Sequence, residues 1–538
     1  MALPVPLHER LTEPPRDPKG FLCGFPFVLC SLCEAVLLEL GRYGSYRATI
    51  ADCGFLYPGS PMRRTTLFAL LACAVGWHPL SAQLALTHAN VVDVERGVVL
   101  ADRTVLISGN RIVAVGTGVR VPGGARVRDA RGKYVIPGLW DMHVHTSREG
   151  RARHFWPLFL ANGVTGVREM GSYLDTLQYW RAEARRPGSG APRIIWSSPM
   201  LDGVPTSWVH GYGVPDAARA RVVVDTMQRL GFDFLKVYDR LTRDAYFAIA
   251  AQAKRRGIPF AGHVPRAVTA IEASDAGQRS IEHVLDALHL ACTPRGTELL
   301  TDFTRARESL GPAADSTRAA LRRLQSAVVQ GPVEDACRPL FARMVANGTW
   351  MTPTLTVTHG QVPPEALIAD PRLRFVPPAL AARWRSSATS ANPEEVRLER
   401  RLEANAWRLV GLAHRAGVGI LAGTDASDEA YVFAGSGVHD ELALLVGAGL
   451  SPLDALRTAT LNPARYLGAL DSLGTVAPGR LADLVILDAN PLADIRNTTR
   501  IHAVVANGRL IAAAERARLL ARAAAEAARA GTAPPARR

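Results

Sequence analysis

Eight short apolar segments alternate with helical stretches between about Gly138 and Leu470, and this alternation constrains the fold of the 538-residue chain more than any other feature. Strand–helix alternation is typical of a parallel sheet with helical crossovers, and eight such units close into a (β/α)8 barrel. In such a barrel, functional side chains lie at the carboxyl ends of the strands. The strand candidates are residues 139–145, 163–169, 193–199, 232–238, 258–264, 279–284, 350–356 and 417–425.

Strand patterns also flank this region on both sides. From Leu84 to Ile136 short apolar runs are separated by Gly- and Asn-containing turns, and similar runs return near the C-terminus as ADLVILD and HAVVANGRLI. We therefore predict an α/β protein with a TIM-like (β/α)8 barrel and a small composite β-sandwich domain built from both ends of the chain. The predicted bounds are 83–137 and 471–512 for the two parts of the sandwich, 138–470 for the barrel, and 513–538 for a helical tail with a loose end.

A long helical stretch, rich in Arg, Ala and Leu, interrupts the barrel pattern between about Leu285 and Gly348. It predicts either a lid over the barrel mouth or additional scaffold helices. Cys292 and Cys337 lie in this stretch, whereas the other cysteines lie within the first 73 residues. In an oxidising compartment this pair can form a disulfide, and two isolated buried thiols are the alternative.

The N-terminal region carries a secretory leader that does not start at Met1. Met62–Arg64 supplies a positive segment, Thr65–Trp77 a short apolar segment, and Leu80–Ala82 ends in the small residue that a signal peptidase requires. We predict a signal peptide over 62–82, preceded over 1–61 by a doubtful upstream extension, and export to the periplasm or the extracellular space. Leu70–Cys73 also resembles a lipoprotein cleavage site, but the apolar run before it is very short, so a cleaved signal is favoured over a lipid anchor.

The charge and hydropathy of the chain argue against two classes of partner. The formal net charge is +14, but the basic residues are interspersed with acidic ones instead of forming one stripe, so no nucleic-acid partner is expected. The apolar run Phe21–Leu40 contains Glu34 and Glu39, which makes it a poor membrane span, and we expect no stable span in the mature chain. The expected partner is a small-molecule substrate, and assembly into a homo-oligomer stays open.

The first candidate metal ligands are two histidines that lie two residues apart. His143 and His145 lie on a predicted strand, where the alternation of side chains directs both imidazoles to one face. Because the chain has 14 histidines, such a pair also arises by chance. Whether it belongs to a metal site therefore depends on where it lies in the fold. Convergence of further candidates at one end of a barrel is typical of an active site and predicts a metal site. Four such residues lie at or near the ends of other predicted strands: Lys236, His263, His283 and Asp425.

Lys236 is the most informative of these residues. Only four of the 63 basic residues are lysines, and this one lies within the apolar run FDFLKVY, where its ammonium group would be desolvated. Burial favours the neutral amine, which can react with CO2 to give a carbamate whose two oxygens bridge two cations. The alternative is a buried lysine paired with Asp or Glu. Asp425, in the run LAGTDAS, offers a carboxylate that can bind one metal ion and accept a proton from a bound water.

Five ordered motifs carry a family resemblance: PGLWDMHVH, FLKVYDRL, FAGHVPRA, SIEHV and GTDAS. They are followed by SPLDALRTATLNPARYLG and GTVAPGRLADLVILDANPL. Over about residues 84–510 the chain resembles the amidohydrolase superfamily, in particular its imidazolonepropionase-like and Xaa-Pro-dipeptidase-like members. The resemblance implies a centre with two divalent metal ions. Its implied ligands are His143, His145 and Asp425 for the more buried ion, His263 and His283 for the second ion, and Lys236, carboxylated by CO2, as the bridge.

Two divalent ions would supply the chemistry that such a site needs. The His-rich ligand set favours Zn²⁺, and the ions would lower the pKa of a bridging water from about 15.7 to about 7, so that a bridging hydroxide forms at neutral pH. One ion would polarise the scissile carbonyl, while Asp425 takes the proton and passes it to the leaving amine. We therefore expect an enzyme that hydrolyses C–N bonds of the amide or peptide-like kind, with dipeptides or N-acyl amino acids as candidate substrates.

Other functions stay open at this point. A lactam-ring hydrolase or a deaminase of the same superfamily is the first alternative, although deaminases of this superfamily usually work with one metal and no bridging lysine, so Lys236 argues against that version. A catalytically silent, metal-holding scaffold is the alternative from another class. Such members have typically lost ligands, whereas all six candidate ligands are present in this chain.

The residues that would bind the substrate give weaker signals. Tyr238 lies two residues beyond the lysine and would face the same cavity, where its phenol would steady a substrate oxygen; an aromatic residue at the barrel rim is the alternative. Arg240, Arg266 and His210 lie on predicted loops over the mouth and are candidates to receive a carboxylate, with solvated surface positions as the alternative. Arg168, inside the second strand, needs a buried partner, and a structural salt bridge is its expected role.

Overall fold

The computed structural model describes residues 83–147, 152–285, 287–310, 315–361, 363–390, 392–426 and 429–530. The predicted upstream extension and signal peptide, over 1–82, and the end of the tail, over 531–538, lie outside these residues. Among the described helices, none is both long enough and apolar enough to cross a membrane.

A mixed sheet of eight strands is built from both ends of the chain. Its strands, numbered along the chain, are β1 (Gln83–Asp93), β2 (Val98–Ser108), β3 (Arg111–Gly116), β4 (Arg126–Asp129), β5 (Tyr134–Pro137), β14 (Leu484–Leu487), β15 (Ile501–Ala506) and β16 (Arg509–Ile511). The order is β16-β15-β14-β5-β1-β2-β3, with β4 beside β1. β14 pairs antiparallel with β5, from Leu484 opposite Pro137 to Leu487 opposite Tyr134, and this pairing joins the two ends.

The β14 sequence LVIL is apolar throughout because this strand separates two cores. Val485 and Leu487 pack into the large core that includes the barrel helices, whereas Leu484 and Ile486 pack into a smaller core of the composite sheet. Alternate side chains of a strand point to opposite faces, so a strand that is buried on both faces has a continuous apolar sequence. Gly138 follows β5 directly, and its N–H donates to the Asp483 carbonyl at 2.7 Å where the barrel begins.

Seven parallel strands form the barrel sheet, and each pairs with the next strand of the set along the chain. They are β6 (Leu139–Val144), β7 (Val164–Glu169), β8 (Arg193–Asp202), β10 (Phe234–Val237), β11 (Phe260–Gly262), β12 (Ser280–Glu282) and β13 (Trp350–Thr352). The short β9 (Tyr212–Gly213) pairs with β8 outside this order. The prediction of an α/β fold with a TIM-like barrel and a β-rich domain is confirmed.

The eighth predicted strand, residues 417–425, is not a regular strand. This closing segment completes the barrel through single bridges: Met351 N–H donates to the Gly419 carbonyl at 2.9 Å on one side, and Asp425 N–H donates to the His143 carbonyl at 2.7 Å on the other. Glycine permits the close approach, because a Cβ on Gly423 would lie 2.8 Å from the Cβ of His143. Asp425 itself has a left-handed φ of 60°, which turns the chain at the end of the segment.

Several helices begin at residues whose side chains cap the first turn. The Thr242 hydroxyl accepts a hydrogen bond from Ala245 N–H at 3.2 Å at the start of helix Arg243–Arg256, and Gly257 ends that helix with a φ of 66°. The other α-helices are Ala152–Ala161, Leu174–Ala184, Ala217–Arg229, Ala270–Asp275, Ala287–Ala291, Gly296–Leu310, Asp315–Gln330, Glu334–Asn347, Leu355–Gln361, Glu365–Ile368, Pro378–Ser390, Pro393–Arg415, Gly437–Gly447, Pro452–Thr458, Leu461–Tyr466 and Ala513–Ala530. Two 3-10 helices span Pro371–Phe375 and Ile495–Thr499.

The long stretch between the sixth and seventh barrel strands folds into four of these helices, from Ala287 to Asn347. It is hydrogen-bonded to helix Pro393–Arg415: the side-chain amide of Asn405, on that helix, donates to the carbonyls of Val328 and Val329 at 3.3 and 3.2 Å. Cys292 and Cys337 are fully buried and form a disulfide. These contacts favour scaffold helices over a lid. A disulfide is typical of an oxidising compartment, and export stays a prediction.

Candidate metal centre at the carboxyl ends of the barrel strands

The six residues that the sequence selects as ligands lie at the same end of the barrel. His143 lies near the end of β6 and His145 directly follows it, Lys236 lies in β10, His263 and His283 directly follow β11 and β12, and Asp425 ends the closing segment. Parallel strands present their carboxyl ends together, which brings residues up to 282 positions apart into one site. The structure therefore places all six candidates around the mouth of one barrel.

Asp425 lies at the centre of the histidines. Its Oδ1 is 3.5 Å from His143 Nε2 and 3.4 Å from His145 Nε2, and its Oδ2 is 4.0 Å from His283 Nε2. The candidate ligand atoms of His143, His283 and Asp425 all lie within 4.8 Å of one another. His263 adjoins this group, since its ring centroid is 4.7 Å from that of His283. This spacing fits side chains that surround metal ions.

Each of the four imidazoles is held through its Nδ1 atom. The partners are Glu282 Oε2 at 2.9 Å for His143, the Gly171 carbonyl at 2.8 Å for His145, Asp239 Oδ1 at 2.7 Å for His263 and Thr354 Oγ1 at 2.8 Å for His283. Carboxylate and carbonyl oxygens are acceptors, so Nδ1 of His143, His145 and His263 carries the proton and Nε2 keeps a lone pair; the Thr354 hydroxyl beside His283 can accept in the same way. For His143, His145 and His283 it is Nε2 that faces Asp425. This tautomer is the one in which Nε2 can bind a metal ion.

The electrostatics of the site favour neutral imidazole at His283. Burial, together with the nearby His263 and His143, holds the pKa of His283 well below its ordinary value. A histidine must be neutral at the binding nitrogen to act as a metal ligand. The backbone is also constrained here, because His283 and Thr354 have left-handed φ values of 62° and 50°. Such conformations are uncommon outside glycine and concentrate at functional sites.

Lys236 is fully buried, and among the residues that the structure describes its Nζ has no hydrogen-bond partner. Burial lowers the pKa of Lys236 to about 8, although Glu282 and Asp425 oppose this effect by favouring the charged form. Gly262, with a φ of 137°, gives the side chain room, because a Cβ at that position would lie 3.1 Å from Lys236 Cδ and would collide with the Val237 carbonyl. Among the described residues, therefore, Lys236 makes no hydrogen bond to a carboxylate, which the alternative interpretation requires.

Arg168 and Glu282 form a fully buried ion pair beneath the histidines. Arg168 NH2 lies 2.8 Å from Glu282 Oε2, and its Nε and NH1 donate to the Met142 carbonyl and to the hydroxyls of Ser280 and Tyr466. The predicted structural salt bridge of Arg168 is confirmed. Glu282 was not among the sequence candidates, although a carboxylate beside a histidine in the apolar run SIEHV was a signal for it.

Asp141 is a second buried carboxylate that the sequence analysis missed. It accepts hydrogen bonds from Thr424 N and Thr424 Oγ1 at 2.9 and 2.6 Å and from His143 N at 3.3 Å. Burial raises the pKa of Asp141 to about 7, although these hydrogen bonds oppose the effect. The residue thus ties the first barrel strand to the closing segment beside Asp425. A charged residue two positions before His143 in an apolar strand was the available signal.

The predicted substrate residues are placed unevenly. Tyr238 stacks on His263 with ring centroids 4.1 Å apart, so it lies beside the ligand cluster. His210 is buried in the loop after β8, next to Trp208. Arg240 and Arg266 are exposed, and the Arg240 guanidinium donates to the Pro205 carbonyl at 3.3 Å. The structure therefore groups Tyr238 with the ligands and leaves the two arginines on surface loops.

A family model described as "Amidohydrolase family" matches residues 240–511, which is half of the chain and includes His263, His283 and Asp425. The chain belongs to the amidohydrolase family. The resemblance stated from the sequence motifs is confirmed by this match.

Two comparisons with curated relatives of this amidohydrolase are local. Adenine deaminase 2 of Rhizobium meliloti (strain 1021) is 49% identical over 76 residues, which is 14% of this chain and 12% of the relative. Adenine deaminase 2 of Bradyrhizobium sp. (strain ORS 278) is 27% identical over 200 residues, which is 34% of this chain and 33% of the relative. The chain therefore covers much less than two thirds of these relatives.

Solved structures are similar over most of the chain. Bottromycin amidohydrolase is 25% identical with a TM-score of 0.61, covering 82% of this chain and 90% of that one. A Xaa-Pro dipeptidase with bound methionine in its active site is 21% identical with a TM-score of 0.58, covering 80% of this chain and all of that one. These likenesses support the barrel and the β-rich domain as one family fold.

Proposed function

We propose that this amidohydrolase is a metal-dependent enzyme that hydrolyses C–N bonds of small amides or peptide-like compounds, with dipeptides and N-acyl amino acids as the candidate substrates. The observation that carries the proposal is the arrangement of imidazoles around Asp425, with three Nε2 atoms within 4.0 Å of its carboxylate oxygens. Family membership and the similar structures of a bottromycin amidohydrolase and a Xaa-Pro dipeptidase support it.

The donor set fits two divalent cations. His143, His145 and Asp425 would hold the more buried ion, and His263 and His283 would hold the second. Nitrogen donors with carboxylate oxygen favour Zn²⁺ among the common ions. When bound, these ions supply Lewis-acid polarisation of the scissile carbonyl and a lower pKa of the attacking water.

Asp425 is the proposed general base and acid. Its carboxylate faces the ligand nitrogens, and its backbone is fixed by the hydrogen bond from its N–H to the His143 carbonyl at 2.7 Å. It would accept a proton from the attacking water and deliver that proton to the leaving amine nitrogen. Deprotonated Asp425 would then be ready for the next cycle, since each turnover adds one water across the C–N bond.

Lys236 would complete the site as a carbamate. Its neutral amine nitrogen would attack the carbon of CO2, the N–H proton would leave to solvent, and an anionic carbamate would form. The lowered pKa, about 8, leaves a larger fraction of neutral amine near neutral pH than an exposed lysine would have. A buried ammonium without a hydrogen-bond partner is costly, and a carbamate anion that helps to hold the cations would remove that cost.

We expect the intact protein, equilibrated with Zn²⁺ and ¹³C-labelled bicarbonate, to show a ¹³C NMR resonance of a carbamate that is absent from Lys236→Arg. The carbamate forms from the neutral amine, and burial lowers the pKa of Lys236 to about 8, so Lys236 should be modified in preference to an exposed lysine near neutral pH. Lys254→Arg, on the helix Arg243–Arg256, is the matched control and should keep the resonance. A wild-type protein that holds two metal ions per chain without this resonance would contradict the carbamate.

The proposed function is tested by metal removal and reconstitution on a substrate panel. Dialysis against a chelator should lower the turnover of cleaved amides by about 10²-fold or more, because metal polarisation contributes several kcal/mol, and two equivalents of Zn²⁺ should restore it. The products should be an amine and a carboxylic acid, measured by mass spectrometry. Release of ammonia from adenine would instead favour a deaminase, which the local matches to adenine deaminases keep as the second candidate. Full metal content without turnover of any amide, lactam or ester would favour the silent scaffold.

A further inference from the structure

A row of aromatic rings leads from the ligand cluster to the protein surface. Tyr238 stacks on His263 at 4.1 Å between centroids, and its hydroxyl accepts a hydrogen bond from Trp208 Nε1 at 2.7 Å. Trp208 lies nearly parallel to His210, with an interplanar angle of 18° and centroids 6.0 Å apart. Tyr173 meets His210 edge-on at 5.8 Å. We call Tyr173, Trp208, His210 and Tyr238 the aromatic wall.

The outer end of this wall is exposed to solvent. Trp208 is 50% exposed and Tyr173 is 42% exposed, and the neighbouring Val209 is 85% exposed. Single exposed apolar residues are ordinary, but adjoining exposed aromatic rings beside a candidate active site typically mark a binding surface. Tyr238, at the inner end of the wall, contacts His263. The wall therefore runs from the exposed surface to the site where the amide would be cleaved.

The loop that carries Trp208 is built to hold one shape. The carboxylate of the buried Asp202 accepts hydrogen bonds from Gly203 N, Ser207 N and Arg240 N at 2.9, 2.6 and 2.7 Å. The Thr206 hydroxyl donates to the Trp208 carbonyl at 2.8 Å. Three backbone donors therefore satisfy the charge of Asp202, and the same bonds fix Trp208 in place before a ligand arrives. A preformed surface loses little conformational entropy on binding.

The chemistry of the wall selects an apolar occupant. Its surface is made of phenol, indole and imidazole rings, and the nearby Arg240 guanidinium is turned to the Pro205 carbonyl. Aromatic rings bind flat or bulky apolar groups through stacking and the burial of apolar area. We propose that the aromatic wall is the subsite for a bulky apolar side chain of the substrate, so that the preferred amides carry an aromatic or large aliphatic group beside the scissile bond. This inference rests on the proposed function and names the substrate class of the same site.

The test compares matched substrates in which phenylalanine replaces alanine, as dipeptides and as N-acyl amino acids. The ratio of kcat/KM for the phenylalanine member over the alanine member should exceed about 10 in the metal-loaded enzyme and should fall to about 1 in Trp208→Ala. Trp208→Phe, which keeps a ring but loses the N–H, should retain most of the ratio. Tyr179→Ala is the matched control, since Tyr179 is 51% exposed on helix Leu174–Ala184 and packs on Trp180, and its ratio should not change.

Binding measured without turnover separates this inference from the proposed function. In Asp425→Asn, N-acetylphenylalaninamide should bind about tenfold more tightly than N-acetylalaninamide by calorimetry, and an added Trp208→Ala should abolish the difference. Equal kcat/KM values for both substrates, unchanged by Trp208→Ala, would overturn the wall while leaving the hydrolase intact. If no amide is cleaved, the hydrolase proposal fails, and the calorimetric difference alone supports or overturns the wall.

Discussion

Replacing Asp425 with asparagine should lower kcat for amide hydrolysis by about 10³-fold while the protein keeps its metal ions. Asparagine preserves the size of the side chain and one carbonyl oxygen, so a metal contact through oxygen can persist. It removes the group that accepts the proton of water and returns it to the leaving amine. The measurement pairs the steady-state rate with the metal content per chain, determined by elemental mass spectrometry.

The control for this variant is Asp488→Asn, which alters a carboxylate in the β-rich domain that pairs with Lys133 at 2.7 Å. Its kcat should equal that of the wild type. If Asp425→Asn loses metal and activity in parallel, Asp425 acts only as a ligand and the proton-transfer role is wrong. If the variant keeps both its metal and its rate, the base is another group.

The fold was largely predictable from the sequence because strand–helix alternation is a local signal. The alternation identifies the seven barrel strands from Leu139 to Thr352, which are shorter in the structure at most positions, and it does not identify the short β9. It failed at residues 417–425, where the pattern reads as a strand but the chain forms only single bridges. The reason is glycine: Gly419 and Gly423 permit the close approach to Trp350 and His143, and Gly417 has a left-handed φ of 84°, yet none of the three adds a side chain that stabilises a ladder.

The candidate ligands can be predicted from the sequence, whereas the residues that hydrogen-bond to them and hold them in place cannot. Each ligand lies in a short motif at the end of a strand, whereas each support comes from a distant part of the chain. The Nδ1 atom of His143 meets Glu282, which is 139 residues away, and Trp208 reaches Tyr238 across 30 residues. Such pairs depend on the register and tilt of neighbouring strands, which a hydrophobic pattern does not determine. The mouth loops carry even less signal, since nothing in the spacing of Arg240 and Arg266 shows where their guanidinium groups lie.

A charged network lies beneath the ligands and is enclosed by apolar side chains, since the Arg168 guanidinium lies over the rings of Phe234 and Tyr466. Arg168 donates five hydrogen bonds to side chains and one to a backbone carbonyl, and the residues that accept them are all buried. Charges without water are stable only when every donor and acceptor is satisfied. Glu282 takes two of those bonds and also accepts from His143, so the ion pair and the orientation of a ligand are one network. Disturbing the cation should therefore affect both stability and metal binding.

Replacing Arg168 with methionine should lower the free energy of unfolding by about 3–5 kcal/mol, because it leaves Glu282 buried without its cation. It should also weaken Zn²⁺ binding by about 10- to 100-fold, since the partner that fixes the His143 ring becomes free to turn or to take up a proton. Denaturant unfolding monitored by circular dichroism gives the first quantity, and competition with a fluorescent chelator gives the second. Arg243→Met, which removes an exposed ion pair with Glu272, is the matched control and should leave the free energy of unfolding nearly unchanged, with no change in metal affinity.

The double variant Arg168→Met/Glu282→Gln distinguishes a stranded charge from lost packing. Glutamine removes the buried negative charge while it can still accept from His143, so the double variant should recover part of the stability that Arg168→Met loses. Recovery of stability without recovery of metal affinity would show that the ion pair, beyond supporting the fold, orients the His143 ring. A loss in Arg168→Met no larger than that in Arg243→Met would mean that water reaches this layer and that the pair contributes little to either property.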